Sequence, residues 1–103
     1  MIAVSGLVDY VTDGTQGFHV ANGDALMPRV TALGCSLNGV IAAFLVGQPA
    51  LHATVAAMAY YGLAGERAAQ GANGPGSFQV AFLDALYTLT PQDVTADARV
   101  SRA

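Results

Sequence analysis

The spacing of the apolar residues changes character once along this chain, at Gly34-Cys35-Ser36, and that change limits the folds open to it. Before the junction the apolar residues fall in short β-prone runs, and after it they recur at helical spacing. Ile2 to Val4 is such a run, stopping at Ser5-Gly6 as a buried central strand stops at its C-terminal end. Leu7 to Thr12 is rich in β-branched and aromatic residues, Asp13-Gly14 is a hairpin turn signal, and Phe18-His19-Val20 resumes the alternation before Asn22-Gly23. Two antiparallel strands are predicted there. Pro28 excludes regular structure around Met27, because the residue before a proline is pushed out of the helical region.

Beyond the junction, Leu37, Ile41 and Leu45, with Val40 and Phe44 beside them, predict a helix of about three turns starting at Cys35 and closed by Gly47-Gln48-Pro49. Ala50 to Gln70 predicts a second helix, alanine-rich and tightly packed, with Gly62 and Gly65 on one side where another backbone can come close. Gly71 to Gly76 breaks it. Ser77 is a fitting N-cap for a third helix carrying Phe78, Phe82, Leu86 and Leu89, and Thr90-Pro91-Gln92-Asp93 has the form of a fourth helix start. The polar tail, residues 96–103, is expected to fray. A strand, a hairpin and then consecutive helices fit the end of an α/β domain, since one parallel strand cannot make a sheet. Residues 1–95 are therefore read as one C-terminal segment of such a domain.

Composition says the same. Hydrophobic residues are 53% of the 103 and charged residues only 11%, against about 25% charged in ordinary soluble domains. A small domain leaves much of its surface in water and needs more polar residues, not fewer. Part of the apolar surface is expected to pack against further protein, either more of the same chain or other subunits. Four basic residues and a net charge of -3 exclude a nucleic-acid partner, which demands clustered Lys and Arg. Val40 to Val46, the longest apolar run, is far below the roughly 20 residues that span a bilayer, so no membrane role is expected. A single cysteine excludes an internal disulfide, offers no spaced metal-ligand set, and fits a reducing cytoplasm.

That cysteine carries the chemistry. A thiol at a helix N-terminus sits where free backbone N–H groups and the positive end of the helix dipole converge, which binds phosphate oxygens and acidifies the thiol. The combination points to phosphoryl transfer. On composition alone the plainer reading, a buried inert thiol, is the better one; the surrounding residues reverse it.

Val8-Asp9-Tyr10-Val11-Thr12-Asp13-Gly14, Gly23-Asp24-Ala25-Leu26-Met27, Gly34-Cys35, Ala64-Gly65-Glu66-Arg67-Ala68 and Gly74-Pro75-Gly76-Ser77-Phe78, in this order, resemble the C-terminal part of hydroxyethylthiazole kinases. The run from Gly74, continuing through Phe82-Leu83-Asp84-Ala85-Leu86-Tyr87, is the most specific. The resemblance implies a ribokinase-like α/β fold, homotrimers with sites between subunits, and ATP- and Mg2+-dependent phosphorylation of the hydroxyethyl group of 4-methyl-5-(2-hydroxyethyl)thiazole in thiamine salvage. It implies that Cys35 stands where ribokinase relatives carry an aspartate that deprotonates the alcohol, and that the N–H groups of Leu33, Gly34 and Cys35 form an anion hole. Phosphate charge opposes the thiolate, so Cys35 is expected chiefly to position the alcohol. Ser5 corresponds to an ATP-contacting hydroxyl, and Ala32 to a glycine that contacts the thiazole. Ala32 and Leu33 depart from the family's Gly-Thr-Gly-Cys pattern, replacing its first glycine and its threonine with residues that restrict the backbone.

The other candidates are bland. His19 is expected to face solvent and His52 to lie on the surface. Asp9 and Asp13 make a poor metal pair because Asp13 belongs to the turn, and no metal ligand is assigned within this chain. Arg29 is either a phosphate contact or a surface arginine, and Gly71 to Gly76 is expected to help wall the nucleotide pocket. Three functions remain: the thiazole-alcohol kinase with an incomplete chain, a non-catalytic fragment or assembly module, and another small-alcohol kinase of the ribokinase-like group.

Overall fold

The computed structural model of the chain describes residues 1–30 and 33–103. Strands β1 (Ile2–Val4), β2 (Asp9–Thr12) and β3 (Gly17–Val20) come first, followed by a 3-10 turn at Met27–Arg29. Helices α1 (Leu33–Leu45), α2 (Ala50–Ala69), α3 (Pro75–Thr88) and α4 (Pro91–Asp97) follow, and a last strand, β4 (Val100–Arg102), returns to the sheet. The sheet order is β1-β2-β3-β4 and every pairing is antiparallel.

The hairpin forms where the turn chemistry demands it. The Asp13 carboxylate accepts from the amides of Thr15 (2.8 Å) and Gln16 (2.9 Å), and Gly14 takes φ 92°, a conformation that favours glycine. Those two amides hold the Asp13 carboxyl below the usual carboxylate range. Register then follows: Asp9 opposes Val20 and Val11 opposes Phe18, so these four side chains share one face. Val11 and Val20 are fully buried there.

Helix α2 is the centre of the molecule. One flank, with Leu51, Val55, Met58 and Ala59, covers Val11 and Val20 of the sheet; the other, with Tyr61, Ala64 and Ala68, packs on Phe78, Phe82 and Ala85 of α3. Phe82 meets the Tyr61 ring edge-on at 4.9 Å and stacks on Phe78 at 5.7 Å. Burial of each phenylalanine contributes about 1.5–3 kcal/mol before the entropy of ordering is subtracted. The Phe78 stripe is core, as its spacing predicts, although Leu86 and Leu89 are only half-buried.

Five expectations are corrected, the first being that Pro28 excludes regular structure around Met27: a 3-10 turn runs Met27–Arg29 with Pro28 in its first turn, where a missing N–H is tolerated. Among the described residues β1 pairs with β2 on one side, and its Ile2 and Val4 are 63% and 56% exposed. Helix α1 includes Leu33 and Gly34, two residues before the Cys35 start expected from the sequence. Pro75 opens α3, and Ser77 lies inside its first turn, where its hydroxyl still accepts from the Asn73 amide at 3.0 Å. The tail does not fray: α4, closed at its start by a Thr90–Asp93 capping box, runs to Asp97, and β4 pairs with β3. Backbone pairing to an open sheet edge orders residues that local propensity leaves free. His19, expected in solvent, is half-buried with its ring 5.4 Å from that of Tyr10; His52 is exposed as expected.

The glycine face of α2 receives another backbone at Gly62, as predicted, and a side chain at Gly65. A Cβ at Gly62 would lie 2.6 Å from the Asn22 carbonyl oxygen, and one at Gly65 would collide with the Met27 side chain. Alanine in a helix interior is otherwise favoured over glycine by about 0.8–1 kcal/mol, so two substitutions with the same propensity gain should part company. Gly39→Ala in α1, whose added methyl meets nothing within 4 Å, should raise the thermal midpoint. Gly62→Ala should lower it, because overpacking against backbone costs about 1–3 kcal/mol. Calorimetric unfolding of the two variants checks both signs.

Candidate functional site

A cavity of about 790 Å³ opens between the end of the sheet and the first turn of α1. Ser5, Gly6 and Asp9 form one wall, and Asn22 to Ala25, Met27 and Pro28 a second. Leu33 and Gly34 of α1, Tyr61 and Gly62 of α2, and Arg99 complete it. The walls come from the segment between β1 and β2, the loop after β3, α1, α2 and the segment before β4, so no single stretch of sequence contains the site.

The start of α1 supplies its donors. The first amides of a helix have no acceptor within the helix, and Leu33, Gly34 and Cys35 occupy its first three positions. Tyr61 fixes this turn from below: its hydroxyl donates to the Leu33 carbonyl at 2.6 Å while its ring is held by Phe82. Burial raises the Tyr61 hydroxyl's pKa, partly offset by a hydrogen bond with Ser36, so the group stays a donor. Cys35 is exposed.

Opposite lies Asp9, 9% exposed, whose carboxylate accepts from the Gly6 amide at 3.0 Å. Burial pushes its pKa up and outweighs that hydrogen bond. Asp13 is at the far end of β2 in the hairpin turn, so the two aspartates do not meet. Among the described residues no group of three or more His, Cys, Asp or Glu side chains comes together that could hold a metal ion. The residues present do not fit the magnesium implied by the resemblance, and no step below passes through it.

The loop over α2 is held by a carboxylate. Glu66 accepts from the Asn22 side-chain amide (2.6 Å) and the Gly23 backbone amide (3.0 Å) with one oxygen, and pairs with Arg99 (2.8 Å) through the other. Burial by itself would raise the Glu66 pKa, but Arg99, Asn22 and Gly23 together hold it below the usual carboxylate range. Asn22, 5% exposed, has its remaining groups satisfied: its amide also donates to the Asp97 carbonyl at 3.2 Å, and its oxygen accepts from the Arg99 amide at 2.7 Å. Arg99 further donates to the Ala21 carbonyl at 2.8 Å.

Of the residues singled out from sequence, Ser5, Leu33 and Gly34 line one cavity, and Cys35 follows them on the same turn of helix. Ala32, the residue assigned to the thiazole, lies outside the described residues. Arg29 is exposed at the end of the 3-10 turn, and neither it nor any residue of 71–76 is among those lining the cavity. Asn22, Tyr61, Glu66 and Arg99 were not anticipated. Only Asn22-Gly23 as a turn signal, and the pattern of Gly62 and Gly65, pointed toward them.

Among the described residues no helix is long and apolar enough to cross a membrane. A sequence model described as the hydroxyethylthiazole kinase family matches residues 1–92. The chain is 59% identical over its whole length to a hydroxyethylthiazole kinase of Cereibacter sphaeroides and 51% identical to one of Rhizobium leguminosarum, covering 39% of each. A solved structure of the hydroxyethylthiazole kinase protein from Pyrococcus horikoshii OT3 superposes with a TM-score of 0.94 at 40% identity, over 98% of this chain and 40% of that one. The chain thus spans about two-fifths of the length of the relatives it matches.

Two measurements test the site's supports. Tyr61→Phe keeps the ring on Phe82 but removes the hydroxyl from Leu33, and should cost about 0.5–1.5 kcal/mol in denaturant unfolding. The depressed Glu66 pKa means that its stabilisation is fully present above the ordinary value of 4.5 and is lost as pH falls through the lower folded value. The difference in thermal midpoint between the unsubstituted protein and Glu66→Gln should therefore shrink as pH is lowered through and below that point.

Proposed function

The chain belongs to the hydroxyethylthiazole kinase family, and we propose that it supplies the phosphate-side half of an active site that transfers the γ-phosphoryl group of ATP to the hydroxyethyl group of 4-methyl-5-(2-hydroxyethyl)thiazole. The observation that carries this reading is the cavity in which Ser5 meets Leu33 and Gly34 at the start of α1. Phosphoryl transfer needs alignment and stabilisation of charge on the transferred group more than covalent help. The amides of Leu33, Gly34 and Cys35 and the dipole of a 13-residue helix provide fixed positive charge for that purpose. In this reading the Ser5 hydroxyl contacts ATP from the sheet side, Ala32 borders the thiazole, and Cys35 holds the alcohol toward the phosphate. Its exposure on the first turn leaves the thiol accessible to a substrate.

The rest of the site, including the carboxylates for magnesium, comes from the part of the relatives' length that this chain does not span. The exposed Ile2 and Val4 on β1 and Val80, Leu83 and Tyr87 on α3 support packing against further protein, which in a trimer of the family's kind would be other subunits as well as the remaining chain. A metabolic role in the cytoplasm goes with the same reading.

A second reading, a non-catalytic assembly module, is favoured by one observation: Ala32 and Leu33 stand where the family pattern has glycine and threonine. One experiment separates the two. The chain is joined to the N-terminal three-fifths of the Cereibacter sphaeroides relative, and ATP-dependent phosphorylation of the thiazole alcohol is measured for the chimera and for the 103 residues alone. The kinase reading expects turnover from the chimera only. A silent chimera that gains activity on Ala32→Gly with Leu33→Thr would establish a degraded site, and one that stays silent would favour the module. In an active chimera, Cys35→Ala should lower kcat by about 10²-fold or more while leaving the ATP Kd within a few-fold; an unchanged kcat removes Cys35 from the chemistry.

A further inference from the structure

Glu66 lies one helical turn beyond Gly62 on the same face of α2. Gly62 admits the Asn22 backbone, and Glu66 fastens it: three donors from two separate segments, Asn22, Gly23 and Arg99, converge on one carboxylate that is 22% exposed. An exposed Arg–Glu pair by itself is worth little. Here the carboxylate also accepts from a buried side-chain amide and a backbone N–H, and removing it would take that acceptor from Gly23 and leave the Asn22 amide only the Asp97 carbonyl.

The segments that meet on Glu66 are walls of the cavity. Gly23, at φ 139°, holds a backbone conformation suited to glycine and leads directly into Asp24, whose carboxylate accepts from the Leu26 amide at 2.9 Å to start the 3-10 turn. Arg99 reaches the same carboxylate from the segment between α4 and β4, and Asn22 ties back to Asp97 and Arg99. The segment before β4 is thereby connected to the mouth of the cavity through the side chains of Glu66, Asn22 and Arg99.

We propose that Glu66 is a positioning residue for the substrate cavity, holding the Asn22–Asp24 wall and, through Arg99, drawing the C-terminal segment to its rim. The proposal rests on the kinase reading for the identity of the substrate, and on hydrogen bonding alone for the geometry. Glu66 touches no reacting atom, so its loss acts on the shape of the pocket rather than on the transfer step.

The test uses the full-length chimera, with Glu66→Ala and, as the conservative variant, Glu66→Gln, which keeps an oxygen for Asn22 and Gly23. Glu66→Ala should raise the KM for the thiazole alcohol about ten-fold or more with kcat within about three-fold, and Glu66→Gln should restore most of the loss. Thr90→Ala, which opens the α4 capping box, serves as a control that lowers stability with no change in KM. In ligand-free protein, amide exchange at Gly23 should accelerate about 100-fold in Glu66→Ala relative to neighbouring β3 amides. A KM within two-fold of the parent at equal folded fraction overturns the proposal. If the parent chimera neither binds nor phosphorylates the thiazole, the kinase reading fails by itself, and Gly23 exchange decides the clasp: protection unchanged in Glu66→Ala overturns it, and protection lost upholds it.

Discussion

Helix α2 can receive the loop after β3 only because no side chain stands at Gly62, where a Cβ would lie 2.6 Å from the Asn22 carbonyl oxygen. That approach sets the distance between the sheet and the helices. With the loop seated, Met27 fills the space over Gly65, and the 3-10 turn delivers the chain to the start of α1. One residue before Gly62, Tyr61 donates its hydroxyl to the Leu33 carbonyl beside the same cavity. A single helix therefore places the loop, its clasp and the first turn of α1, through the bare backbone of Gly62, the carboxylate of Glu66 and the phenol of Tyr61. Such a helix is costly to alter, since the three lie within two of its turns.

The cavity brings together the start of α1, the Ser5 hydroxyl and a buried Asp9, with no cluster of three or more metal-ligating side chains among the described residues. In the proposed kinase the first amides of α1 would face the phosphate and the metal's carboxylates would come from the three-fifths of the relatives' length that this chain does not span. Arg99 is committed to Glu66 and Ala21; in that reading backbone amides would supply the positive potential without long side chains, at little cost in ordering entropy.

The C-terminal segment shows where local reasoning stopped short. Ala96 to Ala103 has no strong propensity, which is why it reads as a frayed end. In the fold it becomes the fourth strand, because β3 leaves an open edge and Asn22 captures Arg99 and Asp97.

Local signals in the sequence were sufficient for the hairpin at Asp13-Gly14, the three long helices, the Phe78 and Phe82 core stripe and the use of Gly62 and Gly65 as an approach face, since each depends on residues a few positions apart. Cys35 stood out as the single thiol near a helix start, whereas Ser5, Leu33 and Gly34 became candidates through the resemblance to hydroxyethylthiazole kinases. The tertiary structure alone decided that the tail is a strand and that Asn22, Glu66 and Arg99 meet. Glu66 is 44 residues from Asn22 and 33 from Arg99, and a hydrogen bond between groups so distant in sequence has no local period or spacing to announce it. Only the folding of α2 against the sheet brings those groups within reach of one another.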